Sequence, residues 1–340
     1  MASTAARPIA LSFSGSGLLL TYHLGIASHL LRSLSPLRSR ITRFIGVSGG
    51  ALAAAACVLL PPESLYDFVE QHAARGQAWS ALMDLLQVDA STLRNAEMRS
   101  LAPRSPQSAG ACGGERRVGE EAMRLRNVLY IGATQCSTGR AALFSRFDSN
   151  EQLARCLLAS CTVPSSAHPF DLLRTYNTYP EMAGIVVSPT CEWDSGRSCW
   201  ISDATGVQED DAAHVSTALP QFPHGVAYVD GGLSAVAPLL PSAVRSHVIT
   251  VSPISGPHGM LSPPLADAPA HLHICPLDSS FRIPFIAPAI GGMRCYLSAQ
   301  NVRAFGESLG ASPDVLVDWF KQGRADAERF EACRQVEDLP

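Results

Sequence analysis

At 340 residues the chain is long enough for one large α/β domain or two ordinary ones. Its formal net charge of -4 offers no basic surplus for a nucleic acid, and no uninterrupted apolar window reaches the roughly 18 residues of a membrane span. Charged residues make up 16%, below the usual quarter of a soluble domain, which an Ala-, Pro- and Ser-rich composition explains. The first predicted strand runs from Pro8 to Phe13 and is followed directly by Ser14-Gly15-Ser16-Gly17. A helical stretch then extends from about Leu18 to Leu31, with Leu20, Leu24, Ala27 and Leu31 at helical spacing. Such a loop presents backbone N–H groups in a concave arrangement that suits a phosphate or an oxyanion. The dinucleotide pattern G-x-G-x-x-G fails because Leu20 stands where its third glycine would be, and G-x-x-x-x-G-K-[ST] is absent. An oxyanion hole built on Gly15, Ser16 and Gly17 is the better reading.

A second unit of the same kind follows. Ile41 to Val47 reads as a buried strand, Gly46-Val47-Ser48-Gly49-Gly50 as a turn, and Ala51 to Leu60 as a strong helix former stopped by Pro61-Pro62. Strand, G-x-S-x-G, helix is a nucleophile elbow: Gly46 and Gly50 permit the sharp turn, and Ser48 sits at its apex beside a helix N-terminus that favours developing negative charge. A Gly/Ser turn between strand and helix is common, so the pentapeptide gains its weight from the glycine loop upstream.

Helical patterns fill Glu63 to Gln71 and Trp79 to Leu86, and a Ser/Gly/Pro/Arg segment from Pro103 to Gly119 reads as a loop within an insertion at 101–120. Asn127 to Thr134 and Ala142 to Phe147 read as strands. The stretch 179–224, with Trp193, Trp200 and Glu209-Asp210-Asp211, shows little periodicity and is expected to be a second inserted excursion, a lid over the site being the alternative. Val226 to Asp230 is strand-like and ends in Asp230-Gly231-Gly232. Asp-Gly is a common turn. A serine nucleophile needs a base, however, and Asp230 is the carboxylate best placed to be one, at a strand's carboxyl end. A histidine triad is the rival arrangement, with His258, His271 or His273 following Asp230. His271 and His273 alternate within a strand pattern, His258 lies in a Gly/Pro loop, and His23 reads as a packing or capping residue, so the dyad is preferred. Val248 to Val251 and Leu272 to Cys275 read as further strands, and Tyr296 to Leu309 and Pro313 to Cys333 as closing helices.

Ten cysteines are scattered without a C-x-x-C pair, so no zinc or other cofactor is expected. Cys57, Cys136 and Cys275 lie in or beside apolar runs as free thiols, and Cys191 and Cys199 could bridge only in an oxidising compartment. Only Met1 to Arg7 precede the first strand, so no signal or transit peptide is expected and a cytoplasmic location, at most peripheral to a membrane, follows.

Taken in order, these motifs resemble the patatin-like phospholipase family, most closely its adiponutrin-type branch. The resemblance is carried by Leu11 to Gly17 with Tyr22-His23-Leu24-Gly25, by Gly46 to Leu52, by Phe144 to Phe147 with Asn150 to Leu153 and Ala159-Ser160-Cys161-Thr162-Val163-Pro164, and by Asp230-Gly231-Gly232-Leu233. It implies a three-layer α/β/α sandwich with a mostly parallel central sheet over residues 8–310 and a closing helix in 311–340. It implies a Ser48–Asp230 dyad, with the Gly15–Gly17 loop as oxyanion hole, that cleaves acyl esters of acylglycerols or phospholipids through an acyl-enzyme. The partners implied are a lipid ester and the surface of a membrane or lipid droplet, with no nucleic acid. The chain departs from the family in Leu20, a glycine elsewhere, and in Ser234-Ala235-Val236-Ala237-Pro238, where the family carries a small residue and an Asn. These departures motivate one alternative, a weakly active or non-catalytic lipid-binding regulator; an acylglycerol transacylase is a second, which these motifs do not separate from a lipase or phospholipase A.

Overall fold

The computed structural model describes residues 7–88, 122, 124–136, 138–163, 185–186, 191–194, 199–202, 227–240, 246–256, 272–277, 283–287 and 293–333. Its first strand, β1 (Ile9–Phe13), is buried along its whole length, as a central parallel strand covered on both faces must be. Ile9, Leu11 and Phe13 join the larger apolar cluster, while Ala10 joins a smaller one on the opposite face. The same period of two runs through β2 (Ile41–Val47) and β3 (Leu129–Gln135), with Phe44 and Ile131 on one side and Ile45 and Tyr130 on the other. The smaller cluster is closed by Leu239 and Leu240, and the Ser12 hydroxyl ties this covering segment down by donating to the Pro238 carbonyl at 2.5 Å.

The sheet is mostly parallel at its centre, with β10 (Leu272–Ile274), β9 (His247–Val251), β1, β2 and β3 adjacent in that order and parallel. Beyond β3 it continues antiparallel through β4 (Ala141–Phe144), β6 (Cys191–Asp194) and β7 (Cys199–Ser202). β8 (Ala227–Asp230) pairs with both β3 and β5 (Ile185–Val186). β3 is the common ruler. It pairs with β2 from Leu129 to Gly132, ending at Val47, and its next residue, Ala133, pairs with Asp230 at the end of the oppositely directed β8. Because β4 occupies the other edge of β3, β2 and β8 meet end to end along one edge.

The expected excursion at 179–224 therefore contains sheet: β5, β6 and β7 lie within it and are bonded into the main structure. Strands of two to four residues are too short for a period of two to show in sequence. The expected insertion at 101–120 lies outside the described residues, as do the remainder of 179–224 and the end of the closing segment.

Helices α1 (Leu20–Leu30) and α2 (Gly49–Leu59) pack in the larger cluster, each apolar nearly all round, as helices enclosed by other elements are. α3 (Leu65–Gln71), α4 (Ala78–Leu85) and α5 (Asn150–Cys161) add to this layer. Ser149 caps α5 by accepting the Gln152 N–H at 3.1 Å. A hairpin of β11 (Ile283–Ala287) and β12 (Met293–Leu297) precedes α6 (Ala299–Leu309). The helix expected from Tyr296 thus begins at Ala299, because Ser298 caps it by accepting the Asn301 N–H at 3.2 Å while Tyr296 stays in β12. α7 (Pro313–Cys333) closes over α1, where the Tyr22 hydroxyl donates to the buried Asp326 carboxylate at 2.8 Å and His29 meets Glu331 at 2.8 Å. Among the described residues no helix is long and apolar enough to cross a membrane.

Candidate active site

The elbow is built by backbone packed on backbone. β2 ends at Val47, Ser48 turns the chain with φ 53° and ψ -131°, and α2 begins at once with Gly49. A positive φ at a non-glycine residue is a strained conformation of the kind that recurs at reactive centres. Gly50 is required by contact: a Cβ there would lie 2.4 Å from the Ser14 carbonyl oxygen and 2.5 Å from that of Phe13. The elbow is therefore pressed directly against the end of β1 and the start of the glycine loop. The Ser48 side chain makes no capping bond to α2. Instead its hydroxyl faces the Asp230 carboxylate closely enough to lower that group's pKa.

Gly17 has φ 53°, and a Cβ on it would meet the Ser308 carbonyl oxygen at 2.4 Å, so the carboxyl end of α6 closes on the loop. A short 3-10 turn (Gly17–Leu19) carries the loop into α1, with the Leu20 N–H bonded to the Gly17 carbonyl. The Leu20 side chain packs into the larger apolar cluster. The three expected oxyanion donors are not equivalent. The Gly15 N–H is engaged by the Val236 carbonyl at 2.8 Å, whereas among the described residues no backbone carbonyl accepts the N–H of Ser16 or Gly17. The Ser16 hydroxyl is buried without a partner, and it and the Gly17 N–H both lie 3.0 Å from where a Cβ on Gly49 would stand. Gly15 itself lies between the two halves of the site, with the position of a Cβ 3.8 Å from Ser48 Cβ and 3.8 Å from Gly232 Cα. His23, fully buried on α1, supports this loop from below: its Nε2 donates to the Ser14 carbonyl at 2.9 Å. Burial holds its pKa down at about 3, so the ring is neutral.

Asp230 is 6% exposed and stands at the meeting point of β8 and β2. Its Oδ1 accepts the Gly232 N–H at 2.8 Å, its own N–H donates to the Thr162 carbonyl at 2.9 Å, and its carbonyl accepts the Thr134 hydroxyl at 2.7 Å. Thr134 also meets the Ser234 hydroxyl at 2.8 Å, so Ser234 helps to hold the turn after the aspartate. Burial raises the carboxyl pKa from 3.8 to about 6, against the opposing pull of the Ser48 hydroxyl and the Gly232 N–H. A carboxylate of that basicity, facing a serine hydroxyl, is equipped to accept its proton near neutral pH.

Among the described residues no histidine bonds Ser48 or Asp230. His273 lies on β10 and bonds the Thr250 hydroxyl at 2.8 Å, while His258 and His271 fall outside the described residues. Among the described residues no three His, Cys, Asp or Glu side chains are grouped to hold a metal. One contributor is legible only in three dimensions: Ser160, the last serine of α5, accepts the Ser48 N–H at 2.9 Å and donates to the Gly132 carbonyl at 2.6 Å. Its only sequence signal is its place in the Ala159-to-Pro164 stretch.

No family model matches the chain. Patatin-like phospholipase domain-containing protein 2 of Rattus norvegicus is 24% identical over 326 residues, which cover 94% of this chain and 50% of the relative. The same protein of Mus musculus is 24% identical over 94% of this chain and 49% of its own length. Patatin-like phospholipase domain-containing protein 4 of Homo sapiens is 31% identical over 165 residues, 46% of this chain and 57% of the relative. The chain spans about half the length of the curated relatives it matches. Among solved structures, VipD from Legionella pneumophila aligns over 96% of this chain and 66% of that one with TM-score 0.39 and 10% identity. Human GIVD cytosolic phospholipase A2 aligns over 96% of this chain and 60% of that one with TM-score 0.40 and 10% identity.

Proposed function

We propose that this chain, a relative of the patatin-like phospholipase domain-containing proteins, is a serine hydrolase of lipid acyl esters that works through a Ser48–Asp230 dyad. The observation that carries the reading is the strained Ser48 facing a buried Asp230 whose carboxyl pKa burial raises to about 6. Asp230 accepts the Ser48 proton as Oγ attacks the ester carbonyl carbon, and the carbonyl oxygen becomes an alkoxide. The N–H groups of Ser16 and Gly17 receive that charge, with Gly15 as the spacer that holds them opposite the elbow. Collapse of the tetrahedral species returns the proton to the departing alcohol and leaves an acyl-Ser48. Water, deprotonated by Asp230, then releases the fatty acid and restores the serine.

The substrate class is an acylglycerol or phospholipid, taken from a membrane or lipid-droplet surface to which the protein binds peripherally. Support comes from the names of the relatives and from α6, which abuts the glycine loop at Ser308 and leaves Val302, Phe305 and Leu309 exposed along one uncharged arc. The test is hydrolysis of p-nitrophenyl butyrate and of emulsified triacylglycerol, with covalent labelling by a fluorophosphonate. Wild type is expected to turn over and to label, with kcat/KM falling below pH about 6 as Asp230 takes up a proton. Ser48→Ala is expected to lose on the order of 10⁴-fold or more in kcat. A wild-type protein that binds lipid vesicles but neither turns over nor labels would instead be the non-catalytic regulator.

A further inference from the structure

Both halves of the site are fastened to one short piece of chain, the last turn of α5. Ser160, fully buried, uses its hydroxyl in both directions, accepting the Ser48 N–H and donating to the Gly132 carbonyl. Two residues on, the Thr162 carbonyl takes the Asp230 N–H at 2.9 Å, while the Thr162 hydroxyl turns back to the Leu158 carbonyl at 2.7 Å. Gly132 is also the residue of β3 that pairs with Val47, one position before Ala133 pairs with Asp230. Resting on the reading of Ser48 and Asp230 as a dyad, we propose that the Ser160–Thr162 turn is a clamp that sets the distance between nucleophile and base, with Ser160 as its positioning residue.

The physical case rests on what Ser48 cannot do for itself. Its φ and ψ are strained and persist only where surrounding structure over-determines them. An N-cap serine would ordinarily spend its hydroxyl on the first turn of its own helix, but this hydroxyl makes no such bond and faces Asp230 instead. The backbone at the elbow must then be held from outside, and the Ser48 N–H would be left unpaired without Ser160. An apolar residue would fill the same space in α5 equally well, so the hydroxyl is explained by these two bonds and not by packing. The titratable group facing the site from α5 is Cys161, whose thiol burial and Asp230 both push up, so it stays neutral throughout.

The experiment compares wild type with Ser160→Ala, Ser160→Thr and Leu157→Ala, the last a core residue buried in the same helix. Ser160→Ala is expected to lower kcat and the rate of fluorophosphonate labelling about 100-fold with KM within about twofold, the signature of a misplaced reacting group. Its acid limb should move up from pH about 6, because the Ser48 hydroxyl that lowers the Asp230 pKa is no longer held to it. Ser160→Thr keeps the hydroxyl and should recover most of the labelling rate. Leu157→Ala should lose stability by an ordinary core-cavity amount while keeping kcat and the acid limb. The clamp is overturned if Ser160→Ala keeps kcat and labelling within about threefold of wild type, or if Leu157→Ala reproduces its losses and its pH shift. A wild type that neither labels nor turns over overturns the hydrolase reading itself, an outcome separate from either of these.

Discussion

Ser48 is held mainly by backbone packing in and beside its own strand–turn–helix unit, with one bond from Ser160, and Asp230 by hydrogen bonds from its own turn and from distant segments. Gly46, Gly49 and Gly50 surround the serine within one strand–turn–helix unit, and that unit rests on β1 and the glycine loop of the unit before it. The aspartate is held by Thr134 on β3, by Thr162 after α5 and by the turn at Gly231–Ser234. The first arrangement is steric, with backbone atoms in contact where no side chain fits. The second is a set of hydrogen bonds, each replaceable in part by the others. The elbow should therefore fail abruptly under a single added methyl group, and the aspartate's seat should yield gradually.

Gly50→Ala is the hardest blow to the first arrangement. Its methyl group meets two carbonyl oxygens of the central strand's end, and neither can withdraw. We expect a loss of about 3 kcal/mol or more in urea unfolding at pH 7. An alanine variant within about 1 kcal/mol of wild type would show that the elbow adapts, and the contrast between the two halves would dissolve.

Asp230→Asn probes the second arrangement through its charge. The carboxyl pKa is raised in the fold, so the folded state holds the proton more tightly than the unfolded chain. Stability from this group is fully present below pH 3.8 and is lost as pH rises through about 6. At pH 8 the fold carries an ionised buried carboxylate, and Asn removes that burden. The variant should be more stable than wild type by about 1–3 kcal/mol at pH 8 and equal to it at pH 3.5, while kcat falls about 10²–10⁴-fold. His23 works in the opposite sense, since its neutral burial favours the fold above pH 6.5 and is lost as pH falls. The measurement is accordingly the difference between variant and wild type at each pH. No gain at pH 8 would mean that Asp230 is not strained by its burial.

Thr134→Val is the mildest of the three. It removes the bond to the Asp230 carbonyl and the contact with Ser234 but leaves Thr162 and Gly232 in place. A loss of about 1 kcal/mol is expected, with kcat within a few-fold of wild type. Loss of all activity would show that the seat of the aspartate is as brittle as the elbow.

The legible parts of this protein are those whose rules are short in range. Ser14 to Gly17 and Gly46 to Gly50 announced sharp turns between apolar strand and helix, and both lie where the sequence predicts them. Leu20 was readable as a departure but not in its consequence, since only packing shows its side chain in the core. In the sequence Gly15 is equivalent to Ser16 and Gly17 as a donor; in the fold its N–H is engaged by the Val236 carbonyl, far along the chain. β5, β6 and β7 went unread because strands this short take their place from their partners and not from a pattern of their own.

The sequence by itself determined the two strand–loop–helix units and the serine at the apex of the second, because steric limits on φ and ψ and the spacing of apolar residues act within a few positions. Only the tertiary structure decided that Asp230 reaches Ser48. That meeting depends on β3 pairing with β2 as far as Gly132 and with the reversed β8 from Ala133 onward, and on the last turn of α5 bonding to both. Pairing between strands separated by so much chain is selected by the whole core, and no local pattern encodes it.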